Sequence, residues 1–235
     1  MILALLLAAQ NFAAGETLDY NLVWLKVAGG SMRMTIGPQA GDATHYRITS
    51  IAKSSGSFAL FFSVRDEIES FVDRGDFSTI RYEKHLKEGG KRKDDVTTIV
   101  NKIATRKRPN KDTEEVGVTR PVFDPLSVIF HLRDVELTPG TVHRFSVFAD
   151  GKLYTLEAHV TGRETIDTPA GRFNTIAVQP KMLAGGIFRD EDSDLTIWYS
   201  DDARRLPVRI RSEVKVGTIT ATLRSVQTGV TAVEP

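Results

Sequence analysis

Residues Leu195 to Arg211, LTIWYSDDARRLPVRIR, read as strand, charged turn, strand. Leu195, Ile197 and Tyr199 alternate with Thr196, Trp198 and Ser200, the period of two that a strand imposes on its two faces. Asp201, Asp202, Ala203, Arg204 and Arg205 carry turn chemistry. Pro207 has no N–H, which confines the return strand to a sheet edge or places the proline among its first residues. A hairpin of this kind predicts an antiparallel β domain, and the rest of the chain extends the pattern.

Upstream lies a second hairpin whose register follows from its turn. Asp150-Gly151 suits a two-residue loop, which pairs Ala149 with Lys152, Val147 with Tyr154, Phe145 with Leu156 and His143 with Ala158. On the other face, Arg144 meets Glu157 and Val142 meets His159. The opposite charges at Arg144 and Glu157 support this register and make Phe145, Val147, Tyr154 and Leu156 the buried face. Thr168-Pro169-Ala170-Gly171 is a further turn, leading to Phe173 and the strand Ile176 to Val178.

In the first half, Leu18, Tyr20, Leu22 and Trp24 share a strand face, and Val27-Ala28-Gly29-Gly30 is expected to bend the chain into Ser31 to Ile36. Gly37-Pro38 and Gly41-Asp42 mark a turn before Thr44 to Ser54. Strands are predicted over Glu67 to Val72, Thr79 to Leu86 and Val96 to Ala104. Ser57 to Phe62 fits either a short helix or a strand plugging a core. One helix is signalled over 124–134: Asp124 as N-cap, Pro125 at its first position, and Leu126, Ile129, Phe130 and Leu132 as its apolar stripe. The expected fold is all-β and mainly antiparallel. Curved sheets form an open barrel or sandwich, with one short helix between β halves 16–119 and 141–226. Each half alone would have a thin core, so 16–228 is read as a single domain, followed by a flexible tail at 229–235.

The chain has 235 residues and no cysteine, so core burial rather than disulfides must hold it, and a lipid-modified cysteine is excluded. Thirty-one basic and thirty acidic side chains leave a net charge near zero, which argues against a nucleic-acid partner. Ile2 to Ala9 is an apolar run too short for the roughly 20 residues that cross a bilayer, but right for a secretory signal. Cleavage after Gly15 would leave small residues, Ala13 and Gly15, at the positions signal peptidase reads, and 1–15 is therefore expected to be removed. The segment lacks the usual initial positive charge, so an upstream start or a buried N-terminal strand or helix stays open. No later segment is long and apolar enough to be a transmembrane helix.

Catalytic and metal constellations are weak. None of His45, His85, His131, His143 and His159 has a partner at zinc-site spacing. Asp190, Asp192 and Asp194 alternate as in a calcium loop, but Leu195 stands where that loop needs glycine. Ser127 and His131 share a helical face without an elbow motif or an orienting acid, so capping and packing are their expected roles. No metal, cofactor or catalytic residue is expected. Aromatic residues that could line a concavity stand out instead: Trp24, Phe58, Phe61, Phe62 and Trp198 are the candidate ligand-binding set. Lys91, Arg92, Lys93, Arg106, Lys107 and Arg108 cluster around a Glu88-Gly89-Gly90 hairpin tip and are the candidate interaction set.

Together, Tyr20, Trp24 and Gly29 on the first strand, VRDEIES (Val64 to Ser70), DPLS (Asp124 to Ser127), TPAGRFNT (Thr168 to Thr175) and IWYSDDARRLPVRI (Ile197 to Ile210) resemble the bacterial exported proteins grouped as domain of unknown function 3108. The resemblance spans nearly the whole mature chain. It implies a periplasmic or otherwise exported envelope β protein and brings no catalytic residues with it. Three functions are then expected in order. The first is noncatalytic binding of a lipid or other apolar or amphipathic small molecule. The second is docking on an envelope protein or acidic glycan through the basic hairpin, and the third is hydrolysis at Ser127 and His131.

Overall fold

The computed structural model describes residues 12–13, 15–25, 27–183, 195–214 and 217–229. Residues 1–11 and 14, most of the expected leader, Asp190 to Asp194 and the expected tail beyond 229 lie outside the described residues. Fourteen strands follow one another as β1 (Glu16–Trp24), β2 (Val27–Gln39), β3 (Asp42–Ser54), β4 (Val64–Asp73), β5 (Thr79–Glu88), β6 (Lys91–Val100), β7 (Ile103–Lys107), β8 (Glu114–Gly117), β9 (Val142–Ala149), β10 (Lys152–Thr168), β11 (Gly171–Leu183), β12 (Leu195–Ser200), β13 (Pro207–Val214) and β14 (Gly217–Gln227). Helix α1 (Gly56–Phe61) separates β3 from β4, and α2 (Ser127–His131) lies between β8 and β9.

All strands belong to one antiparallel sheet in the order β8-β7-β6-β5-β4-β3-β2-β1-β14-β13-β12-β11-β10-β9. The first and last strands are neighbours, with Thr17 opposite Gln227. The free edges, β8 and β9, belong to the middle of the chain, so the sheet curls into an open barrel rather than a closed one. Two devices span the gap. The segment after β8 runs between the edges: the Val122 carbonyl accepts from the Thr79 N–H at 2.8 Å, and Phe123 forms a parallel bridge to Val147 of β9. The second is ionic. Asp150, at the β9–β10 turn, accepts from Lys84 Nζ at 2.6 Å and from Arg106 Nη2 at 3.3 Å, and Arg106 also holds Asp95 of β6. Gly151 beside it has a φ of 84°, the left-handed conformation that favours glycine.

Inward-facing residues of both halves form one contiguous core, among them Leu18, Tyr20, Ile36, Ile48, Val72, Leu156, Tyr199 and Leu223, with Leu126 and Phe130 packed among them. A smaller cluster, Ile99, Ala104, Val118, Val122 and Phe148, fills the seam. The derived β9–β10 register holds at every pair, and Val147, Tyr154 and Leu156 are buried as expected. Phe145 is half-buried. Phe148, on the opposite face, is also buried because the seam cluster covers it.

The opening hairpin ties distant segments together. Pro207 is the first residue of β13, and its carbonyl accepts from Tyr20 Oη at 2.8 Å. The Arg204 carbonyl in the turn accepts from Arg133 Nε and Nη2 at 3.1 and 2.9 Å, and Arg133, fully buried, also holds Glu16 through both carboxylate oxygens. Phe12 packs edge-on against Tyr46 at 5.3 Å between centroids, and its ring also meets the Arg133 guanidinium.

Several expectations change. The expected helix over 124–134 is shorter, because α2 tightens into a 3-10 turn at Leu132–Asp134. The chain turns at Leu25, which has a positive φ, and Gly29-Gly30 sit inside β2. Gly30 is there for close approach, since a Cβ would fall 2.0 Å from the Lys53 carbonyl oxygen. The strand expected over Val96 to Ala104 is two strands joined by a tight turn at Asn101 and Lys102, both with positive φ.

Candidate functional site

A cavity of about 620 Å³ opens at the end of the barrel that carries α1. Alternation along the strands turns Leu22 and Trp24 of β1, Met32 and Met34 of β2, Ile210 of β13, and Ile219 and Ala221 of β14 toward it. Ile68 of β4 and Tyr82 of β5 close the far wall, while Pro125, Leu126 and Ile129 come from the α2 segment. The volume falls within the roughly 300–1,000 Å³ of small-molecule sites.

Helix α1 resolves the ambiguity over Ser57 to Phe62 in favour of a helix. The Ser55 N–H donates to the Gly29 carbonyl at 3.0 Å, which fixes the helix start against β2. Phe58 and Phe62 then turn onto Trp24, with centroids 4.9 and 6.0 Å away, and onto each other at 6.3 Å. All three rings line the cavity. Edge-on pairs of this kind hold the rings at defined angles and add to what burial contributes.

The other two aromatic candidates lie elsewhere. Phe61 is 89% exposed, and its neighbour Leu60 is 85% exposed. Trp198 is buried on the far part of the sheet, where its Nε1 donates to Glu164 Oε1 at 2.5 Å. The methionines and isoleucines of the cavity were not singled out from sequence. Their signal, apolar residues at alternating strand positions, is the same one that a solid core gives.

Polar groups are few and sit near the opening. Ser54 Oγ accepts from the Val64 N–H at 2.9 Å. Asp66 is the notable one: its Oδ1 accepts from the Lys87 N–H at 3.1 Å, but burial in this apolar setting, followed by the nearby Glu88 charge, pushes its carboxyl up to about 6. The lining holds no histidine and no lysine–carboxylate pair. Such a site can desolvate an apolar molecule and meet its polar end at Asp66, Glu88 or Lys53.

Among the described residues no hydrogen bond joins Ser127 to His131. Asp124 Oδ1 accepts from the N–H groups of Leu126 and Ser127 at 2.8 and 2.9 Å, while Ser127 Oγ accepts from the Asp124 N–H at 2.9 Å. This is reciprocal capping of the leading turn. Burial pushes the Asp124 carboxyl up, against the opposing pull of hydrogen bonds from Ser70, Thr79 and those N–H groups. His131 stacks on Phe123 at 4.4 Å between centroids, and burial lowers its basicity.

The basic candidates disperse. Lys91, Arg92 and Lys93 flank the Gly89-Gly90 tip of the β5–β6 hairpin and are exposed. Arg92 Nε pairs with Asp94 at 2.7 Å. Lys107 is exposed, Arg108 pairs with Glu114, and Arg106 is buried within the ionic group at the seam. Arg106 therefore bridges the seam and is not available to an external partner.

Comparisons with known proteins agree with this architecture. The family model DUF3108, a protein of unknown function, matches residues 17–224. A β-barrel-like protein of the domain of unknown function DUF1849 from Brucella abortus superposes with a TM-score of 0.61 at 8% identity, covering 92% of this chain and 98% of that one. A protein with a YmcC-like fold from Bacteroides fragilis gives a TM-score of 0.35 at 10% identity, over 92% and 97% of the two chains. None of the curated proteins matches the chain. The first similarity bears on fold alone, and the second carries no argument.

Proposed function

We propose that this chain, which belongs to the DUF3108 family, is a noncatalytic envelope protein that holds an apolar or amphipathic small molecule, such as a lipid, inside its open barrel. The observation that carries this reading is the cavity itself. Solid packing is the rule in protein interiors, and voids larger than a water molecule are few. An open cavity of about 620 Å³ bounded by aromatic, methionine and branched aliphatic side chains has the size and lining of a small-molecule site. Trp24, Phe58 and Phe62 form its aromatic mouth, and Asp66 supplies a polar contact there. The apolar leader pattern at Ile2 to Ala9 supports export to the periplasm or beyond. The alternative, a scaffold gripping a protein or acidic glycan through the basic hairpin, is weakened by the internal pairing of Arg92, Arg106 and Arg108.

The test is native mass spectrometry of the protein purified from its own envelope fraction, under gentle and then harsh ionisation. A mass excess released as an apolar compound is expected. A clean apo mass, together with failure of the delipidated protein to take up any envelope lipid, would overturn the reading.

A further inference from the structure

Two features crowd the same end of the barrel, and of their residues only Lys53 also lines the cavity. The first is apolar: Leu60 and Phe61 project from α1 at 85% and 89% exposure, and Leu25 and Val27 stand beside the β1–β2 turn at 59% and 53%. Core packing does not explain residues of this size so fully in water, and their grouping at one rim marks an interaction surface.

The second is a row of cations directly behind that rim. Lys53 of β3 lies opposite Arg65 of β4, Arg65 opposite Lys87 of β5, and Lys87 opposite Arg92 of β6. Directly opposed residues share a sheet face, so four exposed cations form one line across four strands. Like charges in that relation destabilise a sheet. Among the described residues, Arg92 is paired with Asp94, whereas Lys53, Arg65 and Lys87 have no carboxylate within ion-pair distance. Lys91 extends the charge at the hairpin tip, and that tip is joined to the apolar helix. The Gly89 N–H donates to the Ser63 carbonyl at 2.9 Å, and a Cβ on Gly89 would come within 2.6 Å of the Phe62 ring.

We infer that this rim docks on an anionic lipid surface, with Leu60 and Phe61 inserted among the acyl chains and the Lys53–Arg65–Lys87 row against the headgroup charge. An apolar tip backed by a cationic collar has the chemistry of a surface that lies on a bilayer without spanning it. The charge row selects this occupant, since its three unpaired cations complement anionic headgroups and would add nothing to a purely apolar contact. Docking there brings the cavity mouth to the bilayer, because Phe58 and Phe62 belong to the same short segment as Leu60 and Phe61. The inference goes beyond the ligand-binding reading and stands whatever fills the cavity.

The test is co-sedimentation of the full chain with vesicles of phosphatidylcholine alone and of phosphatidylcholine mixed with phosphatidylglycerol. Binding is expected only to the mixed vesicles, weakening as salt is raised. The variant carrying Lys53→Gln, Arg65→Gln and Lys87→Gln should lose on the order of 100-fold in partitioning, at about fivefold for each cation. Leu60→Ser with Phe61→Ser, on a solvent-facing helix, should lose binding while far-UV circular dichroism is unchanged. Equal binding to both vesicle types, binding to neither, or full binding by the triple variant would overturn the inference. So would a lipid-free dimer that Leu60→Ser with Phe61→Ser dissolves, which would make a second copy the occupant. An Ala221→Phe variant, with its cavity partly filled, should still bind vesicles, so failure of docking and failure of ligand binding are read separately.

Discussion

Filling the cavity from β14 should stabilise the protein. Ala221 lies between Leu22 of β1 and Ile210 of β13 in register, and all three line the cavity. Phenylalanine there gains about 100 Å² of buried apolar surface over a methyl group, worth about 2.5 kcal/mol at roughly 25 cal/mol per Å². Ordering the ring costs about 0.5–1 kcal/mol. A net gain of about 1.5 kcal/mol is expected for Ala221→Phe in delipidated protein, raising the melting temperature by about 4 °C in a chain of this size. Urea unfolding, followed by tryptophan fluorescence and far-UV circular dichroism, measures it, and the m-value should not change. If the barrel were packed solid at this point, the same ring would cost about 1–3 kcal/mol through displaced neighbours. Destabilisation of that size, with an unchanged m-value, would refute the cavity. A stabilised variant that no longer takes up an apolar ligand would connect the space to its occupant.

Asp66→Asn tests the mouth. The Asp66 carboxyl is raised from its ordinary range to about 6, so the folded state holds its proton more tightly than the unfolded chain does. The cost of the ionised form is absent below about pH 4, grows as pH rises to about 6, and is complete above that. The full shift converts to about 3 kcal/mol, which partial exposure screens to about 1 kcal/mol, so Asp66→Asn should raise the melting temperature at pH 7.5 by about 3 °C and leave it unchanged at pH 4. Arg133→Met strands Glu16 in the core and should cost about 3–5 kcal/mol, measured by denaturant unfolding. The double variant Arg133→Met with Glu16→Gln should recover a large part of that loss, and additive losses would count against a coupled pair. Phe12→Ala should lower stability by about 1–2 kcal/mol in the full chain through loss of its contacts with Tyr46 and Phe77. If export removes 1–15, the substitution will be silent in protein recovered from the envelope.

Local chemistry was readable, and spatial convergence was not. Asp150-Gly151 announced its own turn, so every cross-strand pair of β9 and β10 followed from it. Asn101 and Lys102 form an equally tight turn without a glycine, and the unbroken apolar pattern around them concealed it. Gly29-Gly30 looked like a bend because glycine allows both a bend and a close approach of two backbones. Only the position of the Lys53 carbonyl decides between them. At the site, Trp24, Phe58 and Phe62 stood out as large aromatics, but Phe61 carries the same chemistry and points the other way. One residue step around a helix separates the cavity from solvent. Arg106 looked like part of a surface patch because Asp150, 44 positions away, was not known to be its neighbour. The cation row was hidden likewise, since Lys53, Arg65, Lys87 and Arg92 are spaced by loops and align only through register.

The placement of β1 beside β14 has a consequence for how the molecule comes into being. The first strand made must wait for the last one before its second edge is covered, so the N-terminal meander emerges with an open flank and no means of finishing its own core. Closing a contact across about 200 residues adds only a few kcal/mol of loop entropy, but it makes the final step slow and strongly non-local. Until that step the exposed β1 edge is a template for aggregation. A chain built this way depends on keeping that edge covered until its last strand arrives.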